Sequence, residues 1–107
     1  MKHYCGIDLH SNNHVVVVID DKDKVVYEKR LSNDLLLTLQ ALSPYQDTLQ
    51  AVAVESTFNW YWLVDGLQDH GYQLLLVNTA AVKRLPVYFP EKQTINGFLL
   101  ILTIIQI

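Results

Sequence analysis

Apolar residues occur along this chain in short runs separated by charged or small polar residues, and five of these runs predict β-strands. His14–Ile19 is the clearest, because its consecutive valines are stiff at χ1 and disfavour a helix. The other predicted strands are Lys2–Leu9, Lys24–Leu31, Gln50–Val54 and Gln73–Val77. Short polar turns join the first three strands, which predicts an antiparallel meander with a hairpin loop at residues 11–13.

Three stretches show helical spacing of apolar residues, and each follows small polar residues that can accept from free backbone N–H groups. The first predicted helix is Asp34–Leu42, with a cap at Ser32, Asn33 or Asp34. The second begins at Ser56 or Thr57 and ends at Gly71. The third begins at Asn78 or Thr79 and ends before Pro86. The order is therefore βββαβαβα. This order predicts an α/β fold with a mixed sheet whose antiparallel part lies at one edge.

Two of the predicted strands end in an acid, Asp8 after the first and Glu55 after the fourth. If these strands are parallel neighbours, both carboxylates lie at the edge of the sheet where binding sites form. Enzymes of phosphoryl transfer use such pairs to hold Mg²⁺ or Mn²⁺ against a phosphodiester. The alternative is ordinary, with Asp8 in a turn and Glu55 before a helix N-terminus. The spacing alone leaves both interpretations open.

Other conspicuous residues have simple structural explanations. His10 and His14 flank a loop, so we expect solvated or hairpin-packing side chains rather than a shared metal. Cys5 is expected in the core. Trp60 is expected to pack into the core and Trp62 to be partly exposed, with base stacking as the alternative. Residues 20–23 are acidic but lack the glycine and glutamate of a calcium loop, which predicts a solvated turn.

Composition limits the class of protein. The chain has 107 residues, enough for one domain, and half of them are hydrophobic, which favours a globular core over disorder. A net charge of −3 provides no basic surface for nucleic acid. The single cysteine excludes an internal disulfide, and the N-terminus lacks the pattern of a signal peptide. We therefore expect a cytoplasmic protein without a membrane partner.

The last part of the chain differs from the rest in composition and periodicity. Residues 86–93 contain two prolines and no periodicity, and residues 95–107 are almost wholly apolar. That apolar run is too short for a membrane-spanning helix, which needs roughly 20 apolar residues. We predict a boundary after residue 85, with residues 1–85 as one partial domain and residues 86–107 as a tail outside it.

Four blocks in order resemble the N-terminal domain of the Piv-like DEDD transposases of insertion sequences. They are Tyr4–Ser11, Ala53–Trp62, Leu67–Tyr72 and Val77–Lys83, and the resemblance covers roughly residues 3–85. It implies a RuvC-like, ribonuclease-H-like fold, Mg²⁺ or Mn²⁺ as cofactor, and both DNA and a guide (bridge) RNA as partners. It also implies four metal-binding acids, in the order Asp, Glu, Asp, Asp, and a separate C-terminal domain with a nucleophilic serine. Asp8 matches the first acid and Glu55 the second, so the resemblance implies that both are catalytic metal ligands.

The sequence departs from that family after residue 85. No aspartate occurs beyond Asp69, so the last two acids have no counterpart. We expect a truncated product, incomplete at the C-terminus of the sheet domain, in which a frameshift or deletion near Leu85 produced the apolar tail.

Three functions follow from these observations. The first is a fragment of a DNA transposase that is inactive on its own. The second is a non-catalytic module that binds guide RNA, another copy of itself or full-length transposase. The third is half of an actin-like ATPase, whose first strand also ends in Gly-Ile-Asp; its need for a second glycine-rich loop is not met by the isolated glycines of this chain.

Overall fold

A computed structural model describes residues 1–55 and 59–77 as a five-stranded mixed sheet with helices on one face. The elements are β1 (His3–Leu9), β2 (Asn13–Asp20), β3 (Val25–Ser32), α1 (Leu35–Leu42), a short 3-10 helix (Ser43–Tyr45), β4 (Leu49–Glu55), α2 (Tyr61–Asp69) and β5 (Leu74–Val77). The predicted order is confirmed through β5. The predicted helix at residues 78–85 and the tail at 86–107 lie outside the described residues.

The strand order across the sheet is β3-β2-β1-β4-β5. β1, β2 and β3 pair antiparallel, as the short turns between them require. β4 pairs parallel with β1 and with β5, and α2 forms the crossover from β4 to β5. The mixed sheet with an antiparallel edge is therefore confirmed, and it places β4 directly beside β1.

The hydrophobic core lies between the sheet and the two helices. Alternate residues of the three central strands face this core, and leucines of α1 and α2 cover them. The central members are Cys5, Ile7, Leu9, Val16, Val18, Leu42, Val52, Val54, Leu63 and Leu67. Cys5 is fully buried, as predicted, and burial raises the pKa of its thiol, which keeps it protonated and unreactive.

Asp34 is the residue that caps α1. Its Oδ1 accepts from the backbone N–H of Leu36 at 2.9 Å, which satisfies one free donor of the first turn. Gly71 closes α2 with a φ of 90°, in the left-handed region that glycine enters without steric cost. Both of these predicted helix ends are confirmed.

The predicted start of the second helix is wrong. α2 begins at Tyr61, not at Ser56 or Thr57, which lie outside the described residues. Asn59 provides the polar start instead, since its Oδ1 accepts from the backbone N–H of Tyr61 at 3.3 Å. No helix among the described residues is long and apolar enough to cross a membrane.

The turn between β2 and β3 is exposed at residues 21–23, as predicted, but its first residue, Asp20, is not. Asp20 is only 6% exposed, and its Oδ1 accepts from the backbone N–H groups of Lys22 and Lys24 at 2.8 and 3.0 Å. These two hydrogen bonds, chiefly the one from Lys24, lower the pKa of the Asp20 carboxyl. Asp20 organises the turn from within because its carboxylate replaces water as the acceptor for both amides.

Candidate functional site

Asp8 and Glu55 lie side by side at one edge of the sheet. β1 and β4 are parallel, and their register pairs Asp8 with Glu55 near the carboxyl ends of both strands. Paired residues of neighbouring strands lie about 4.8 Å apart along the hydrogen-bonding direction. The condition for adjacent acids, that their strands are parallel neighbours, is met, while their binding of metal stays a prediction.

Both carboxylates point away from the helices. Ile7 and Leu9 of β1 face the core, so Asp8 between them faces the opposite side. The same alternation applies to Glu55, which follows the core residue Val54. The side chain of Asp8 is 23% exposed, whereas Glu55 is 7% exposed and its Oε2 is buried. The pair is therefore half sheltered from water, with Asp8 as the more accessible member.

His10 orients the carboxylate of Asp8. Its Nε2 lies 3.0 Å from Oδ2 of Asp8 and donates to it. Carboxylate oxygens each carry two acceptor positions, so this contact leaves Asp8 able to bind a cation. His10 is 47% exposed, as expected for a loop histidine, and its contact with Asp8 was not predicted.

His14 lies on the other face of the sheet from His10, so the two share no site. Its ring is fully buried, with Nδ1 2.9 Å from Oδ1 of Asn33 and Nε2 2.9 Å from Oγ1 of Thr38. The ring also meets Trp62 edge-on at 5.9 Å between centroids. His14 therefore packs in the hairpin region, which is one of the two environments predicted for it.

The hydrogen bonds define the state of the His14 ring. Nδ2 of Asn33 donates to the carbonyl of His10 at 2.8 Å, which turns Oδ1 of Asn33 toward His14 and requires a proton on Nδ1. Burial lowers the pKa of His14, so the ring is neutral and Nε2 accepts from the Thr38 hydroxyl. Thr38 Oγ1 also lies 3.2 Å from the carbonyl of Asp34, which is the alternative acceptor for its single proton.

The aromatic residues before and within α2 form a partly exposed group. Trp60 and Tyr61 stack with their centroids 4.1 Å apart and an interplanar angle of 30°. Tyr61 is 59% exposed, while Trp60 and Trp62 are half-buried and pack against the core. The expected partial exposure of Trp62 is confirmed, and base stacking stays a prediction.

The chemistry of the donors fits a hard divalent cation. Asp8 and Glu55 present carboxylate oxygens on one face, which is the ligand type that Mg²⁺ and Mn²⁺ prefer. Among residues 1–55 and 59–77, no group of three or more His, Cys, Asp or Glu side chains lies close enough to hold a metal ion. Asp8 and Glu55 are therefore the two candidate ligands that the described part of the chain brings together.

The fold and the paired acids at the carboxyl edge of the sheet define a RuvC-like, ribonuclease-H-like α/β domain. The chain is similar to Thermus thermophilus RuvC in complex with a Holliday junction substrate, with a TM-score of 0.64, 13% identity, and coverage of 96% of this chain and 92% of that one. A second RuvC structure from the same organism has a TM-score of 0.61 and 14% identity, with coverage of 94% of this chain and 91% of that one. The ethanolamine utilization protein EutJ from Carboxydothermus hydrogenoformans has a TM-score of 0.51 and 13% identity, with coverage of 77% of this chain and 38% of that one.

These likenesses define the fold, and a family model defines the family. The model of the DEDD transposases of the IS110 type, described as Transposase, matches residues 5–93. This chain belongs to that transposase family, which confirms the resemblance found in its sequence blocks. No curated protein matches the chain.

Proposed function

We propose that this chain supplies the first two acidic ligands, Asp8 and Glu55, of a divalent-metal site for DNA transposition by phosphoryl transfer. The observation that carries the proposal is the parallel register that pairs the two acids at the carboxyl edge of a RuvC-like sheet. Membership of a transposase family supports the same chemistry. Mg²⁺ is the expected ion, and Mn²⁺ is its natural substitute.

DNA is the proposed substrate. Transposase membership favours it, and a similar solved structure is RuvC with a Holliday junction. When bound, Mg²⁺ would supply Lewis-acid stabilisation of the phosphodiester oxygens. Asp8 and Glu55 would hold the ion, and His10 would keep Asp8 in one orientation. Because the chain carries a net charge of −3, we expect DNA binding to depend on the metal rather than on basic side chains.

We further propose that these 107 residues do not catalyse DNA cleavage on their own. The family resemblance implies four acids, and the sequence has no aspartate beyond Asp69. Two carboxylates hold a divalent ion weakly and do not by themselves position two ions on the attacking and leaving oxygens.

Manganese titration followed by electron paramagnetic resonance tests the site, with Asp8→Asn as the site variant and Asp65→Asn, on the exposed surface of α2, as the control. We expect weak Mn²⁺ binding that Asp8→Asn abolishes and Asp65→Asn leaves unchanged. Equal binding by all three proteins would refute the assignment of Asp8. Cleavage of a branched DNA substrate by the purified chain with Mg²⁺, lost in Asp8→Asn, would refute the proposed inactivity and keep the metal site.

Binding to guide RNA, to full-length transposase or to a second copy of the chain is a second proposed function. β3 is an edge strand of the described sheet, and its residues Val25 and Val26 are each 39% exposed. An edge strand with exposed apolar side chains is suited to pairing with another chain. Co-purification of tagged chain with transposase or with RNA, compared with a Val26→Lys variant, tests this function. Loss of transposase but not of RNA in Val26→Lys would assign the edge to protein.

A further inference from the structure

We propose that Asn33, held by His14, is a positioning residue for the Asp8–His10 pair of the candidate metal site. Its role rests on the proposed function of Asp8 as a metal ligand. Asn33 touches neither carboxylate of the site. It acts on the loop at residues 10–12, which carries His10 and is separated from Asp8 only by Leu9.

Asn33 holds that loop at two points. Its backbone N–H donates to the carbonyl of Asn12 at 3.2 Å, and its side-chain Nδ2 donates to the carbonyl of His10 at 2.8 Å. The loop itself is closed by the His10 N–H, which donates to the carbonyl of Asn13 at 2.9 Å. One residue at the end of β3 therefore fixes both sides of the turn that presents His10.

His14 in turn fixes the side chain of Asn33. Its Nδ1 donates to Oδ1 of Asn33 at 2.9 Å, so the amide of Asn33 is used at both ends. The His14 ring is itself held in place, because Thr38 of α1 contacts Nε2 and Trp62 of α2 packs against the ring. The ring is fully buried, so water does not compete for either nitrogen. The helical layer is thus connected to the loop through two side chains.

The last step reaches the candidate ligand. His10, whose backbone Asn33 holds, places Nε2 3.0 Å from Oδ2 of Asp8. Hydrogen bonds beyond the ligands orient a metal site, and their loss typically weakens metal affinity by roughly 10- to 100-fold. Asp8 is partly exposed, so its carboxylate depends on such a contact to keep one rotamer.

Mn²⁺ affinity and loop dynamics in Asn33→Ala test the role of Asn33. Asn12→Ala is the matched control, because the Asn12 side chain accepts from Nδ2 of the neighbouring Asn13, while the Asn12 carbonyl, which accepts from Asn33, is retained. We expect Asn33→Ala to weaken Mn²⁺ binding by about tenfold, to speed hydrogen exchange of the His10 amide, and to shift the ¹³Cγ resonance of Asp8. Asn12→Ala should change none of the three.

A second variant guards against simple loss of stability. Thr38→Val leaves Asn33 in place and removes only the hydroxyl behind His14, so a smaller change in the same three readouts is expected. Each variant is measured well below its own unfolding temperature. If Asn33→Ala matches Asn12→Ala in Mn²⁺ affinity, exchange and ¹³Cγ shift, Asn33 is not a positioning residue.

The outcome also separates this role from the proposed function. If wild type binds Mn²⁺ no better than Asp8→Asn, the metal site fails, and the two metal-free readouts alone decide whether Asn33 positions Asp8. If wild type binds Mn²⁺ through Asp8 and Asn33→Ala binds it equally well, the metal site stands and the role of Asn33 is overturned.

Discussion

The buried ring of His14 couples the stability of the fold to pH. Burial lowers its pKa below the ordinary value of about 6.5, and the hydrogen bond with Asn33 opposes that shift only in part. Between the two pKa values the unfolded chain binds a proton that the folded chain excludes. The free energy of unfolding is therefore complete above about pH 6.5 and falls as the pH drops from there to the folded pKa. Urea denaturation across this range measures the slope.

His14→Gln is the control for that pH dependence. Glutamine keeps an amide that can donate to Asn33 but does not titrate, so we expect lower stability at neutral pH and a flatter profile. The other three histidines, His3, His10 and His70, remain in both proteins. An unchanged slope in His14→Gln would show that one of those residues, and not His14, causes it.

Asp20 gives the fold a second, more acidic pH dependence. The hydrogen bonds from Lys24 and Lys22 lower its pKa, so its contribution to stability is complete above the ordinary value of about 3.8 and is lost as the pH falls through the folded pKa. Asp20→Asn keeps an acceptor oxygen without the charge. For Asp20→Asn we expect a lower unfolding temperature at neutral pH and a weaker dependence of stability on pH in the acid range. Asp21→Asn, which changes an exposed neighbour, should behave like wild type in both respects. Acid titration by circular dichroism measures both.

Individual residues differed in how far the sequence revealed them. Asp8 and Glu55 could be predicted because each ends an apolar run, and the position of a residue at a strand end is a local property. The hydrogen bond between His14 and Asn33 could not, because it depends on the register between β2 and β3 and on the direction of the chain after β3. Asp20 was missed for another reason, since its acidic neighbours made the whole turn look solvated.

At the scale of elements, the contact between α1 and α2 depends on a glycine. Gly66 is buried in the middle of α2, and a Cβ there would lie only 2.7 Å from Cδ1 of Leu35 on α1. Alanine favours a helix by about 1 kcal/mol over glycine, but overpacking costs about 1–3 kcal/mol. We therefore expect Gly66→Ala to destabilise the protein slightly, as measured by chemical denaturation.

A double-mutant cycle separates these two effects. Leu35→Ala removes the obstructing side chain, so adding Gly66→Ala in that background should stabilise the protein by about 1 kcal/mol. The sign of the Gly66→Ala effect would then reverse between the two backgrounds. If Gly66→Ala has the same effect in both, Leu35 is not what the glycine accommodates.

The arrangement of elements was more predictable than their ends. The order of elements along the chain and the mixed sheet could be predicted from the short turns and the alternating helices, whereas the position of β4 beside β1 was only a condition in the sequence analysis. The start of α2 could not be predicted, since several residues before it have side chains that can cap a helix. The boundary predicted after residue 85 stays a prediction, and the family match runs past it to residue 93.

At the scale of the whole molecule, we expect the candidate metal site to lower the stability of the protein when no metal is bound. Asp8 and Glu55 place two carboxylates opposite each other on neighbouring strands. Like charges so placed are destabilising, with cross-strand pair energies of about 0.2–1 kcal/mol. In buffer with a chelator, Asp8→Asn should therefore be more stable than wild type by an amount in that range, while Asp65→Asn on α2 should match wild type.

Divalent metal should reverse that order. The two acids lie far apart in the sequence and adjacent only in the fold, so the unfolded chain offers no comparable site. A ligand that binds only the folded state adds about 2.7 kcal/mol at a hundred times its Kd. Wild type should thus gain in unfolding temperature with Mn²⁺ and overtake Asp8→Asn, whose curve should stay flat. Parallel curves for the two proteins would mean that Asp8 holds no metal, whereas a crossing would place the ion at the paired acids without any DNA cleavage being measured.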